Sequence, residues 1–413
     1  MHDTTERTVR ILWILPYPPL PVTTGGRRRV FSLLKELSDR HEIAIVAYRR
    51  GDPPETEHEN RKYCSDFRLE SRRSTRHPLN LVSWIFGDLP FMVIANKPTR
   101  DMIMTLKTAV SEFRPDIVHC EHFHMWESVS RARDDTWPPV ILSQQGIEYV
   151  VTQRYLDITK NPAKRIALSV ELKKARSYEI NVCREADTVI LVSDRDRELL
   201  HECCSVKRVR VVPNGVDPAY FKPRIGNKPR KPVLLFIGTF SFFGNRDALR
   251  YSVFELLPRI RERFPETVLR VIGERPPDIR APGVEILGRI PDIRPHLQES
   301  SLLIAPLRTG SGTKLKILEA MACELPFVAT SIGAEGIRDV EKAGLVADDT
   351  EGLIEAVYAL LDAPGVGDER GRAGRRIVEQ NYTWAISARK LESVWLETAD
   401  SSGKGNNGGT GSH

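Results

Sequence analysis

Cysteine is scarce and carries no pattern. Cys64, Cys120, Cys183, Cys203, Cys204 and Cys323 are the six in the chain, with no CxxC pair and no regular spacing. That excludes a disulfide framework and a thiolate metal site, and it reads as reduced thiols in a cytoplasmic protein. Long hydrophobic runs are missing as well, since no stretch reaches the roughly 18 consecutive apolar residues of a membrane span. The apolar part of MHDTTERTVRILWIL is broken off by Pro16, Pro18, Pro19 and Pro21, so it reads as a first strand and not as a signal peptide. Charge of one sign is not in large excess either. The 61 basic and 55 acidic residues leave a net charge of +6, which permits anionic ligands without demanding nucleic acid. With no zinc-finger spacing and no aromatic-basic RNA motif, no nucleic-acid partner is expected.

What is present is length and alternation. A single core stops growing near roughly 250 to 300 residues, so the 413 residues point to two domains. The β-branched and aliphatic run Val9–Leu15 leads through PYPPLPVTTGG into a helix with Val30, Leu33, Leu34 and Leu37 on one face, and the strand Glu42–Tyr48 follows. The polar stretch Arg49–Asn60 reads as a loop. LNLVSWIFGDLPFMVIA, Leu79 to Ala95, follows the basic run Arg68, Arg72, Arg73 and Arg76. It reads first as a helix packed into the domain beside a solvated basic face, with a peripheral membrane contact as the alternative. Further strands at 116–120, 140–143 and 188–192 alternate with helices at 101–113 and 163–185.

The pattern stops at VVPNGVDPAYFKP and the linker RIGNKPRKP, then restarts. Strands at 233–237, 268–272, 284–287 and 302–305 alternate with helices at 247–264 and 293–299, and Gly238 and Gly244 flank the first loop. The plan is a first domain over 8–216, a second over 231–382 and a last helix over 383–399 with Ile386, Leu391, Val394 and Trp395 on its apolar face. The Gly-, Ser- and Asn-rich tail 400–413 is expected to be disordered.

Two loops carry candidate chemistry. Thr309, Gly310, Ser311, Gly312 and Thr313 lead from a strand into a helix where Leu315, Leu318 and Ala322 keep helical spacing and Glu319 stands about two turns in. Glycines let a ligand reach the backbone, and the free amides at a helix start attract phosphate. Gly25 and Gly26 make a second such strand-to-helix passage. The plainer alternative is a tight turn with Glu319 as a solvated helix residue. In HCEHFHMW, His119, Glu121, His122 and His124 allow a metal site, but with no second cluster a loop at the sheet's carboxyl edge is preferred and no metal is expected.

PDIVHC, VVPNGVDPAYFKP and KILEAMACELPFVATSIGAEGI resemble glycosyltransferase family 4. GTFSFFGNRDAL and PLRTGSGTKLKILEAMA add similarity to its bacterial branch tied to exopolysaccharide or secondary-metabolite synthesis. The resemblance covers the chain to about residue 395. It implies an α/β GT-B fold, two Rossmann-like doubly wound domains facing a central cleft, with the last helix crossing back to the first domain. It further implies a retaining, metal-independent, cofactor-free transfer of a sugar from a nucleotide-diphosphate sugar to a hydroxyl acceptor, with domain closure about residues 217–230. By position it assigns Glu319 to the donor ribose hydroxyls, the amides of Gly312, Thr313, Lys314 and Leu315 to the diphosphate, and Gly25 and Gly26 to the transferred sugar and phosphate. Arg289 and Ile290 fall to the nucleotide base, and His119 to the acceptor side.

The chain departs from the pattern at three places. Ser311 stands where the family's other glutamate would lie, eight positions before Glu319. Thr239 and Asn245 stand where many members carry an arginine and a lysine, so Lys314, with Arg246 or Arg308, is the expected source of positive charge. Gln145 replaces a histidine. It can orient a hydroxyl but relays no proton, which leaves Glu148 as a positioning group or as a solvated or capping residue. Two alternatives stand beside a transferase: a nucleotide-sugar epimerase or hydrolase on the same fold, and a non-catalytic donor-binding subunit. Donor base, sugar, acceptor and oligomeric state have no motif.

Overall fold

A computed structural model describes residues 7–403 apart from positions 73, 75, 76, 225, 227, 228 and 230. The chain divides into two units. The first takes the chain up to Gln153, Asn161–Val212 and everything from Ser387; the second takes Arg154–Lys160 and Pro213–Ile386.

The first unit holds a seven-stranded sheet. Its strands are β1 (Arg10–Leu15), β2 (Glu42–Tyr48), β3 (Asp66–Glu70), β4 (Ile117–Glu121), β5 (Val140–Ser143), β6 (Thr188–Leu191) and β7 (Val209–Val211). They lie in the order β3-β2-β1-β4-β5-β6-β7. Every neighbouring pair is parallel. The second unit repeats the plan with β8 (Val233–Ile237), β9 (Val268–Ile272), β10 (Val284–Gly288), β11 (Leu302–Ala305), β12 (Phe327–Ala329) and β13 (Gly344–Val346) in the order β10-β9-β8-β11-β12-β13. Its pairs are parallel too. Crossover helices cover both faces of such sheets, so their central strands read as continuous apolar runs. ILWIL in β1 and VLLF in β8 are buried throughout. The expected pair of doubly wound sheets is met.

Strand order reverses between β1 and β4 in one sheet and between β8 and β11 in the other. Loops that leave adjacent strands toward opposite faces open a crevice there, at the strands' carboxyl ends. The loops after β1 and β4, and those after β8 and β11, are therefore where each unit can take a ligand.

The last helix, Trp384–Gly403, contributes to the first unit from Ser387 on. Trp395 is fully buried, meets Trp13 edge-on at 5.7 Å and donates from Nε1 to His119 Nδ1 at 3.1 Å. Glu392 pairs with His41 at 3.0 Å, and Thr398 meets Thr188 at 3.3 Å. The helix runs four residues past the expected end at 399; positions 404–413 of the tail lie outside the described residues.

Two local expectations are corrected. The stretch Arg49–Asn60 is not all loop, because the helix Pro54–Arg61 starts within it and β3 follows. Pro54 opens that helix without losing a needed N–H, and Glu55 and Glu57 face the positive dipole end, so its signal is polar and not periodic. The run Leu79–Ala95 is not one packed helix. It breaks at Gly87 and Pro90 into Pro78–Phe86, with no buried residue, and Phe91–Ala95, which buries Val93, Ile94 and Ala95. Arg73 and Arg76 of the preceding basic run lie outside the described residues, as do positions 225, 227, 228 and 230 of the linker.

Truncating Trp395 to Ala empties a filled core and strips His119 of its donor. Urea unfolding of Trp395→Ala should show a loss of about 3–5 kcal/mol, and Trp395→Phe a smaller one; equal stability of wild type and Trp395→Ala would show that the last helix is dispensable.

Candidate functional site

The second unit's switch point is built by two loops and one helix. Leaving β11, the chain turns through Gly310 at φ 138° and Gly312 at φ 69°, backbone values at which a side chain is strained. The helix Leu315–Ala322 starts directly after, with no side chain capping its first amides. Asn214 of the NGVD turn donates to the Thr313 carbonyl at 3.2 Å, and Arg154 donates to the Gly310 carbonyl while holding Glu335 bidentately at 2.7 and 2.8 Å. Residues far apart in sequence thus brace the loop, and they account for the NGVD and GAEGI motifs. Thr313 Oγ1 is buried and makes no hydrogen bond.

Cations sort by partner. Arg308 is committed to Asp247 by two hydrogen bonds of 2.9 and 2.7 Å. Arg246 donates to the carbonyls of Phe240 and Ser241, the latter at 3.1 Å. Lys314 folds back on its own loop, with Nζ 2.6 Å from the Gly312 carbonyl. Lys316, which sequence reading passed over, reaches across to the other loop of the switch point. Its Nζ lies 3.0 Å from Asn245 Oδ1, and Asn245 Nδ2 donates to the Thr239 carbonyl at 2.9 Å. The side chain therefore reaches from the helix start to the β8 loop. Burial, with Lys314 nearby, pulls its pKa down to about 7, and Glu319 opposes that. The one sequence signal was a second lysine in an otherwise apolar helix turn. Glu319 is buried one turn further on.

Ser311 is half-buried in the same loop. Arg289 and Ile290 follow β10 directly, two strands from β8; Arg289 is exposed and Ile290 packs partly on the core.

In the first unit, Thr24 caps the helix Gly25–Leu37 by accepting from the Arg27 amide. A Cβ on Gly26 would stand 2.2 Å from Tyr17 Oη and 3.1 Å from Gln145 Oε1, so the switch point brings Gly26 and Gln145 together and admits no side chain between them. Gln145 donates to Glu121 at 2.9 Å. Burial pushes the Glu121 carboxyl up, but His119, His122, Arg29 and Gln145 outweigh it and hold the pKa below the usual value. Arg29, itself buried, donates to the Val212 carbonyl at 2.9 Å. Tyr17 and Arg29 escaped sequence reading, and Glu121 was weighed there only as a metal ligand, because only the sheet makes the three neighbours.

His119 does not line an acceptor site. It is buried between Trp13, stacked at 4.8 Å, and Trp395, and burial lowers its pKa to about 4, so it is a neutral core imidazole. His122 and His124 stack on each other at 5.2 Å. Among the described residues no three His, Cys, Asp or Glu converge as metal ligands.

Glu148 opens the helix Glu148–Ile158 and is half-buried; burial, then Glu171, pushes its pKa up to about 7. Beneath it the fully buried Glu179 accepts from the amides of Glu148 and Tyr149 at 3.1 and 3.0 Å, capping the helix from 30 residues away.

Residues 23–220 match the sequence profile of Glycosyltransferase Family 4, and residues 231–363 match Glycosyl transferases group 1. The chain belongs to glycosyltransferase family 4. Glycogen synthase of Mycobacterium tuberculosis is 24% identical over 94% of each chain. Sucrose-phosphate synthase from Thermosynechococcus elongatus superposes with a TM-score of 0.71 at 16% identity, covering 96% of this chain and 100% of the other. Anabaena HepE, solved with UDP and glucose, gives 0.66 at 12% identity over 94% and 99%. The fold of this glycosyltransferase is GT-B. No helix among its described residues is long and apolar enough to cross a membrane.

The Glu179 pKa is raised from 4.5 to about 8, chiefly by burial. A raised folded-state pKa means that the protonated form stabilises the fold at low pH, and that this contribution is lost as pH rises from 4.5 through about 8. Glu179→Gln removes the titration. Its Tm relative to wild type should therefore climb between about pH 5 and pH 8, and a flat difference across that range would contradict the linkage.

Proposed function

We propose that this glycosyltransferase takes a glycosyl group from a nucleotide-diphosphate sugar and passes it to a hydroxyl acceptor with retention and without a metal. The observation that carries this is the Lys316–Asn245 bridge at the second switch point, beside an uncapped helix start on a loop that two other motifs brace. In that crevice the amides of Gly312, Thr313, Lys314 and Leu315 meet the diphosphate, and Lys316 supplies the charge that neutralises it. Glu319, an acceptor-only carboxylate, suits the two vicinal ribose hydroxyls, and Arg289 and Ile290 lie toward the base. HepE, solved with UDP and glucose, is a GT-B relative in structure and supports a donor of this class.

In the reaction the bond between the anomeric carbon and the phosphate oxygen breaks and a bond to the acceptor oxygen forms on the same face. The acceptor proton passes to the departing phosphate oxygen, whose growing charge Lys316 and the helix amides stabilise. No side-chain base is required, which accommodates Gln145. On the first unit, Gly26, Gln145 and Glu148 are the residues available to orient the acceptor hydroxyl. The Lys314 side chain folds back on the loop carbonyls, so that residue serves the phosphates through its amide.

Thermal-shift titration with UDP, GDP, TDP and ADP should show one nucleotide raising Tm, with EDTA making no difference. Hydrogen bonds to charged groups contribute about 1.5–3 kcal/mol, so Lys316→Met should weaken that nucleotide roughly 10- to 100-fold. Glu319→Ala should weaken it as well, while Arg308→Met leaves it nearly unchanged. If no nucleotide shifts Tm, the donor site is lost and the transferase reading falls with it.

A further inference from the structure

The helix Pro78–Phe86 departs from the burial that governs the rest of the first unit. None of its nine residues is buried, and Leu79, Leu81, Val82, Ile85 and Phe86 are between 50% and 85% exposed. Phe91 and Met92, just beyond the turn, are 38% and 40% exposed. A soluble chain seldom leaves so many large apolar side chains in water on one short segment.

The segment is held in place, not loosely attached. Trp84 Nε1 donates to Glu171 at 2.6 Å, and the Phe91 amide donates to the same carboxylate at 2.9 Å. Lys174 donates to the carbonyls of Trp84 and Gly87, the latter at 2.6 Å. Both partners sit on the long helix Pro162–Glu185. The apolar side chains are therefore presented outward from a fixed turn. The helix itself carries no charge, and its only polar side chains besides the Trp84 indole are Asn80 and Ser83.

Charge identifies the occupant. From residue 71 to residue 100 the chain has five arginines and lysines against a single acid, Asp88. Lys97 and Arg100, after the apolar segment, are exposed, as is Lys173 on the helix that holds it. A second copy docking through this face would bring two segments of like net charge together. A bilayer with anionic headgroups meets both features at once, taking the apolar side chains at its acyl boundary and the cations over its phosphates.

We propose that the face formed by Pro78–Phe86 and the turn to Met92 docks on an anionic lipid bilayer. This goes beyond the transfer reaction and does not depend on it, since it requires no bound donor. The test is flotation of the full-length protein with phosphatidylcholine vesicles and with vesicles of phosphatidylcholine mixed with phosphatidylglycerol, alongside sedimentation velocity without lipid. Wild type should float with the mixed vesicles, less so at high salt, and stay behind with phosphatidylcholine alone. Ile85→Ser/Phe86→Ser should lower binding about tenfold or more, with Tm and nucleotide binding unchanged because both side chains are exposed. Failure of wild type to float with anionic vesicles overturns the proposal. So does equal flotation of the double variant, or a concentration-dependent dimer that the double variant abolishes, which would make the face a contact between copies.

Discussion

Within each sheet every strand runs parallel to its neighbours, and this constraint organises the rest of the molecule. Parallel pairing sends each strand's following loop out at the same edge, so the residues available for binding collect there whatever their distance in sequence. The reversal of strand order then singles out two loops in each unit. In the second unit these are the β8 and β11 loops, which Lys316 and Asn245 tie together. In the first they are the β1 and β4 loops, beside which Gly26, Tyr17 and Gln145 meet.

Both edges hold buried charge at a cost to the fold. Arg29 and Glu121 lie buried under the first switch point, and the half-buried Lys316 stands with the buried Glu319 in the second. An isolated charge in such surroundings would neutralise; Arg29 has a carbonyl and Lys316 a side-chain amide as counterpart, whereas burial outweighs the two amides at Glu179 and raises its pKa to about 8. Their arrangement differs from that of His119 within β4, which the core absorbs. His119 is sealed by Trp13 and Trp395 and stays neutral, a packing element that joins the last helix to the first sheet.

The exposed helix Pro78–Phe86 belongs to neither pattern. Gly87 and Pro90 break a run that would otherwise have continued into the domain. After the break, Glu171 and Lys174 secure the turn through its backbone, which leaves the preceding side chains outside.

Much of this was legible in the sequence. Alternating apolar runs and amphipathic helices determined two parallel α/β domains, because periodicity and propensity act over a few residues and are written in order along the chain. The glycine loop, the helix start after it and Glu319 were legible for the same local reason. What only tertiary structure decided is which side chains meet. Lys316 reaching Asn245 across 71 residues, Asn214 bracing Thr313 across 99, and His119 buried beneath Trp395 across 276 follow from strand order and packing. The polar helix Pro54–Arg61 and the exposed helix Pro78–Phe86 escaped local reading from opposite sides, one having no apolar face to bury and the other having an apolar face that stays out. Hydrophobicity says that a side chain leaves water at a profit; whether a surface is there to receive it is settled by the fold.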